Sequence, residues 1–272
     1  DALEVRRENI RRHYDENAEK ISVYIKKNSY FRGLVGRVFR HLIGPGRRVL
    51  QVGCHEPGNF LPAVDAEEGV CVDISAEMIR ISKEENPQYQ YYRSPDETMP
   101  DLEPFDDIII VNCSEVADVH DSLVDLKKCA RKDSRIFIYN YNRLWEPVLK
   151  FAEATGFKFP QVTRSWISIN DMNGFLRNAG YETLKIYRKV LFPFRIPGVS
   201  WLLNEIIATL PLVRYLCLVN VFVARIIPKP MDAKTVSVSV VIPCKDEFQN
   251  IETAVTRIPE MGTYTEIIFC DD

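Results

Sequence analysis

Two glycines and one carboxylate stand where a bound nucleoside would need them. Gly53 directly follows the apolar run RRVLQV, and Gly58 lies in the same loop, VLQVGCHEPGNF. A glycine just after a buried strand lets the backbone turn sharply and leaves room for a ligand against the next helix N-terminus. Asp73 ends the next apolar run, GVCVDIS, about 20 positions after Gly53, where a carboxylate can accept both hydroxyls of a ribose. Each feature also has a plainer account: a tight strand-to-helix turn for the glycines, a helix cap or surface residue for Asp73. Further along, Tyr141, Asn142, Arg143 and Trp145 cluster after a strand-like run together with Asn140. Arg143 suits a carboxylate or phosphate and Trp145 a sugar ring. Equally, the asparagines would cap the next helix and Trp145 would fill the core.

The elements that must position these groups follow from periodicity. Residues 3–27 and 29–43 carry apolar residues at helical spacing and predict two opening helices. Short apolar runs at 48–52, 69–73, 88–92, 107–111 and 134–139 alternate with helical patterns near 58–65, 75–85 and 120–130. Such alternation needs crossover connections and gives a parallel sheet with helices on both faces, a doubly wound α/β domain. Ligands in these sheets sit outside the carboxyl ends of the strands, where strand order reverses. After residue 140 come a helix in LWEPVLKFAEATG, a second in INDMNGFLRNAG with an Asn170/Asp171 start, a strand in YETLKIYRKVLF, a helix over 199–215 and a strand in LVNVFVARI. Residues 228–235, PKPMDAKT, read as a linker, so the expected division is a domain over 1–227, the linker, and a piece over 236–272.

The chain has 272 residues, 46% apolar and 27% charged, which excludes a disordered or collagen-like chain. Its formal charge of -3 supplies no positive field to hold a polyanion, so nucleic acid is not an expected partner. The seven cysteines show no C-x-x-C pair and no histidine at metal spacing, so no metal site is expected. They read as core hydrophobes in a reduced, cytoplasmic compartment. The charged N-terminal stretch lacks the apolar core of a secretory signal. The stretch 199–227 is apolar over a membrane-like length but is interrupted by Asn204, Glu205, Pro211 and Arg214. It reads as a buried helix, or as one lying in a membrane headgroup layer through 199–216, followed by a strand.

The string VLQVGC, VDISAEMIRISKEENP, DETMP, FDDIIIVNC, over 49–113, resembles the successive motifs of class I S-adenosylmethionine-dependent methyltransferases. The resemblance implies a Rossmann-like methyltransferase fold, a doubly wound and mostly parallel seven-stranded sheet, with S-adenosylmethionine as cofactor and S-adenosylhomocysteine as product. By position it places Gly53 and Cys54 along the methionine part of the cofactor, Asp73 on the ribose, and Ile74 and Met78 against the adenine. Asn112, Cys113 and Ser114 would line the methionine and acceptor pocket, and Tyr14 would close over the cofactor. The family's first loop usually reads G-C-G-x-G, whereas His55 here stands at the middle glycine. Pro95 occupies the place of an aspartate that meets the adenine amine, which shifts that contact to Asp96, Glu97 or backbone groups.

Methyl transfer is an in-line displacement in which positioning does most of the work. A hydroxyl acceptor would benefit from a base, and the candidates are Glu115, Asp118, His120 and Tyr141; His120 suits best by its ordinary pKa. The alternative is an exposed helix-start residue. The apolar stretch 191–216, together with the cluster at 141–145, hints at a glycan or lipid-linked acceptor, or another small molecule. A second class of function is a methyltransferase-like scaffold that does not turn over cofactor and docks a glycosyltransferase. A nicotinamide dehydrogenase would need a G-x-G-x-x-G turn, which is absent.

VSVVIPCKDEFQNIETAVTRIP and TEIIFCDD resemble the opening of family 2 glycosyltransferases, a βαβ start of a GT-A domain, and YNYNRLWEP is similar to the methyltransferase half of bacterial proteins that join the two activities. That likeness would put Pro243, Glu247 and Asp271 on the nucleotide of a sugar donor. No sugar transfer is expected from this piece, because the family's D-x-D and base lie further along. Residues 228–272 are therefore expected to be poorly ordered or packed opportunistically.

Overall fold

The computed structural model describes residues 2–54, 58–111, 113–161, 165–228, 236–244 and 248–271, without the side chains of 114, 248–250 and 271. Contacts divide it into Asp1–Ile227 and Pro228–Asp272. In the first unit, α1 (Ala2–Lys27) and α2 (Ser29–Leu42) open the chain. Polar throughout, α1 nevertheless buries Ile10, Tyr14, Ala18, Ile21 and Ile25, which recur at one face of a 3.6-residue helix. Then follow β1 (Arg48–Val52), α3 (Leu61–Val64), β2 (Glu68–Asp73), α4 (Ala76–Glu85), β3 (Gln90–Arg93), β4 (Phe105–Val111), α5 (Val119–Asp125) and β5 (Ala130–Tyr141). The unit closes with α6 (Glu146–Ala154), α7 (Ile169–Asn178), β6 (Tyr181–Lys189), α8 (Val199–Trp201) and β7 (Val219–Ile226).

The seven strands lie in the order β3-β2-β1-β4-β5-β7-β6. β1 pairs in parallel with both β2 and β4, while β7 runs antiparallel to β5 and β6. This is the doubly wound, mostly parallel sheet read from the alternating pattern, and its order reverses between β1 and β4. Residues along each strand alternate between two cores, as a period of two requires. Val49, Ile109 and Phe137 pack with α2 and α3 on one face; Leu50, Ile108 and Ile136 pack with α5 and α7 on the other. Burying each such side chain is worth about 1.5–3 kcal/mol.

Several boundaries differ for local reasons. The helix expected near 58–65 is the single turn α3, entered through Pro62 and ended by Asp65 at φ 54°. α7 starts earlier than the Asn170/Asp171 signal, because Ser168 caps it and the Asp171 carboxylate reaches back to the Ser168 N–H, a capping box. The expected helix over 199–215 is broken into α8, a wide turn at Leu202–Ile206 and tight turns at Ile207–Thr209 and Val213–Leu216. The Asn204 side chain turns inward, accepting from the Leu191 and Phe192 N–H groups at 2.9 Å and donating to the Phe192 carbonyl at 2.8 Å. Pro211 then bars a continuous helix. Among the described residues, no helix is long and apolar enough to cross a membrane.

The cysteine reading also needs correction. Cys54 and Cys71 form a disulfide, with Cα atoms 6.6 Å apart, because parallel pairing sets Cys71 beside Gln51 near the end of β1. Cys113, Cys129 and Cys217 are buried thiols and Cys270 is exposed.

In the second unit, β8 (Ser237–Cys244), α9 (Phe248–Arg257) and β9 (Tyr264–Asp271) form a βαβ turn with β8 and β9 in parallel register. This is the strand–helix–strand order expected for residues 236–272. Both strands are short alternating runs that parallel pairing can satisfy within the segment. Residues 229–235 of the expected linker lie outside the described residues.

Candidate active site

A cleft lies at the carboxyl ends of β1, β2 and β4, where the strand order reverses. Its floor is apolar: Val52, Val72, Ile110 and Val111 from the strands, Leu123 and Leu126 from the layer beneath. Ile10 of α1 reaches its wall, a contributor that gives no signal in the sequence beyond helical spacing. Gly53, Asp73, Ser94, Glu97, Cys113, Glu115 and Ser122 bring the polar and chemical groups, and Ile74 adds to the apolar wall.

The first loop is built around Gln51, a buried residue the sequence reading passed over. Its side-chain amide donates to the Gly53 carbonyl at 2.6 Å and the Gly58 carbonyl at 3.1 Å, while its oxygen accepts the Phe60 N–H at 2.7 Å. One side chain thus clamps both ends of the glycine loop. Gly53 sits at φ 92°, a backbone conformation natural to glycine, and donates its N–H to the Val72 carbonyl at 2.8 Å. Gly58, at φ 117°, does not face the cleft: a side chain there would meet Ile25 and Arg32 of the opening helices. Its role is close packing. His55 lies outside the described residues, as does Asn112.

Asp73 is buried at the cleft's edge. Its Oδ2 accepts the Cys54 N–H at 2.5 Å and its Oδ1 the Ser75 N–H at 2.8 Å. These backbone bonds fix the orientation of the carboxylate. Ser75 also caps α4 by accepting the Met78 N–H at 3.1 Å, which separates the helix-capping role from Asp73.

Of the residues offered for adenine, the structure brings Ile74 and Glu97 to the cleft. Met78 does not line the cleft; it is buried in the cluster that Ile74 and Ile10 form with Tyr14 and Ile81. Asp96 faces away, accepting from the Thr98 hydroxyl at 2.9 Å, a bond that holds its carboxyl below the usual range. Glu97 takes the position instead because its backbone turns left-handed, at φ 60°. Its carboxylate accepts the Ala117 N–H at 3.0 Å and sits 3.4 Å from the Arg7 guanidinium, and burial raises its pKa against both.

On the β4 side, Cys113 lines the cleft as a buried thiol whose pKa burial pushes up to about 12, so it is a neutral wall and no nucleophile. The Ser114 side chain lies outside the described residues. The Tyr14 hydroxyl donates to Glu115 Oε2, tying α1 to the turn after β4. Tyr14 therefore braces the cleft from behind Glu115.

The candidate base His120 is not brought to the cleft. It sits on α5 with a half-exposed ring, Nδ1 3.2 Å from Asp121 Oδ1, because the turn 113–115 and the Asp118 cap direct it outward. Asp118 accepts the Asp121 N–H and is spent on that cap. The acceptor cluster resolves mostly toward its plainer account. Tyr141 is buried against Phe31, ring centroids 6.3 Å apart, beneath the Lys158 ammonium. Asn142 caps the turn Arg143–Trp145 and donates to the Tyr215 and Cys217 carbonyls at 2.9 and 2.8 Å. Trp145 donates to the Leu216 carbonyl at 2.8 Å. Only Arg143 remains exposed, lining a shallow groove with Ser168, Asn170 and Asn220.

No family model matches the chain, and none of the curated proteins matches it in sequence. Solved structures do match it in shape. A chain of the complex between the Haloferax volcanii Trm112 methyltransferase activator and a methyltransferase is 16% identical, with a TM-score of 0.60 over 82% of this chain and 100% of that one. A SAM-dependent methyltransferase of Thermotoga maritima is 14% identical, with a TM-score of 0.59 over 80% and 99%. The magnesium protoporphyrin IX methyltransferase of Synechocystis, solved with bound S-adenosylhomocysteine, is 9% identical with a TM-score of 0.54 over 81% and 99%. At these identities the likeness defines the fold: the chain has the Rossmann-like fold of class I SAM-dependent methyltransferases.

Proposed function

We propose that this chain is a methyltransferase that uses S-adenosylmethionine. The observation that carries the reading is Asp73: a buried carboxylate at the end of β2, lining a cleft at the reversal of strand order, where a ribose diol is held in sheets of this topology. The donor set suits the cofactor. Three carboxylates, Asp73, Glu97 and Glu115, face one largely apolar cleft, an environment that favours a ligand carrying positive charge beside an aromatic base. Asp73 would hold the ribose, Ile74 and Glu97 the adenine, and Gly53 with Cys113 the methionine portion. When bound, the cofactor supplies an electrophilic methyl on its sulfonium. The protein's part is to orient the acceptor and, for a hydroxyl acceptor, to take its proton; on this reading Glu115, which lines the cleft, takes that part in place of His120.

The acceptor on this reading is a small molecule, a glycan or a lipid-linked species. The parallel β8–α9–β9 unit, with Asp271 at the end of its second strand, supports reading residues 236–272 as the start of a glycosyltransferase domain, and hence the whole as the methyltransferase part of a two-activity protein. Isothermal titration with S-adenosylmethionine and S-adenosylhomocysteine tests the central claim. Saturable heat with both ligands is expected. Heat no greater than buffer with either would leave the scaffold that docks a glycosyltransferase as the better account.

A further inference from the structure

Between β6 and β7 the chain forms a platform, residues 190–218, in which Ser200 and Asn204 point in while a set of large apolar side chains points out. Ser200 and Asn204 are both buried. Ser200 accepts the Ile196 N–H at 2.7 Å and donates to the Phe194 carbonyl at 2.6 Å, while Asn204 knits residues 191 and 192 to the turn at Leu202–Ile206. Trp145 and Asn142 fasten its far end through the carbonyls of Tyr215, Leu216 and Cys217. With its polar groups so satisfied, the platform presents Phe194, Trp201, Ile206, Leu210, Leu212 and Tyr215 to solvent, Leu212 at 84% and Phe194 at 64% exposure. Clusters of this kind on a folded surface mark an interaction site.

The charge identifies the partner. Within 191–216 the chain carries Arg195 and Arg214 against one acid, Glu205, which faces Arg37 at 3.5 Å, and Arg188 at the end of β6 adds a third cation beside Tyr215, although the whole chain is net negative. The Arg188 and Arg214 guanidinium groups lie 4.5 and 5.3 Å from the Tyr215 ring centroid, so cations rim the apolar groups themselves. Aromatic and aliphatic tips among basic residues match a lipid headgroup layer carrying negative charge. We propose that residues 191–216 are a docking surface for an anionic bilayer. The platform leaves the sheet where Lys189 and Val219 pair next to Tyr141, at the carboxyl end of β5 and so on the ligand edge of the sheet. Docking there sets that edge at the bilayer surface, which favours a lipid-linked acceptor; this last step rests on the methyl-transfer reading.

The test is co-sedimentation of the full chain with vesicles of phosphatidylcholine alone and of phosphatidylcholine mixed with phosphatidylserine, without cofactor. Binding to the mixed vesicles with a blue shift of Trp201 emission is expected, and weaker binding to the neutral ones. Trp201→Ser with Leu212→Ser, both at exposed positions, should weaken binding at least about tenfold. Arg195→Glu with Arg214→Glu should abolish the preference for phosphatidylserine, at roughly fivefold per charge removed. No binding by the parent chain, or equal binding to both vesicles, would overturn the proposal. So would a dimer in sedimentation equilibrium that the apolar pair dissolves, since the face would then belong to a second copy. Cofactor titration of the same variants separates the two readings: vesicle binding without cofactor binding sinks only methyl transfer, and the reverse sinks only the docking surface.

Discussion

The Cys54 backbone N–H and the Asp73 carboxylate meet across the ends of β1 and β2, 2.5 Å apart. The loop that follows β1 is thereby locked to the carboxylate at the end of β2, and the position proposed for the ribose is set before any ligand arrives. Preorganisation of this kind reduces the ordering that binding must offset.

Asp73→Ala should therefore lower affinity for S-adenosylmethionine about a hundredfold, since charge-assisted bonds to a diol contribute about 1.5–3 kcal/mol each. Titration calorimetry reads this directly. Parent-like binding by a folded Asp73→Ala variant would remove the basis of the assignment.

Gln51 holds the same loop from beneath. Truncating it to alanine leaves the Phe60 N–H without its buried acceptor, at about 1–3 kcal/mol, and frees the carbonyls of Gly53 and Gly58. Gln51→Ala should lower the urea midpoint with an unchanged m-value and weaken cofactor binding. A variant as stable as the parent would show that the clamp is incidental.

Much of this was legible in the chain because strand periodicity and the Gly53-to-Asp73 spacing report backbone positions, which parallel pairing then fixes. What was not legible depends on side-chain direction. Asp96 and Glu97 are adjacent, and nothing in their spacing says that a left-handed backbone at Glu97 turns one into the cleft and the other onto Thr98. His120 suits a base by its ordinary pKa, yet a three-residue turn before α5 points it outward, as its alternative reading of an exposed helix-start residue has it. The helix expected at 199–215 failed because Asn204 bonds to a loop thirteen residues upstream, a contact no local propensity encodes.

Glu97 makes stability depend on pH with a definite sign. Burial raises its folded pKa above the ordinary 4.5, so between those two values the folded state holds more protons than the unfolded one. The contribution of this group to stability then falls as pH rises through that window. Glu97→Gln removes the titration. From pH 4 to pH 7 the urea midpoint of the parent should decline relative to that of the variant, and parallel profiles would contradict a raised pKa.

Tyr14 and Glu115 form a bond that ties the opening helix to the turn after β4 at the cleft wall, and both groups are buried. Tyr14→Phe removes the phenol donor to a buried carboxylate and should cost about 1–3 kcal/mol of stability. Glu115→Gln removes the charge but keeps an acceptor, so the loss on adding Tyr14→Phe to it should be smaller. A double-mutant cycle in urea isolates the pair, with a coupling energy of about 1 kcal/mol or more expected for directly bonded groups. The same cycle in turnover, once an acceptor is in hand, distinguishes two roles for Glu115. If it takes the acceptor's proton, Glu115→Gln lowers kcat whether or not Tyr14 is present, whereas a purely bracing role leaves kcat tracking stability alone.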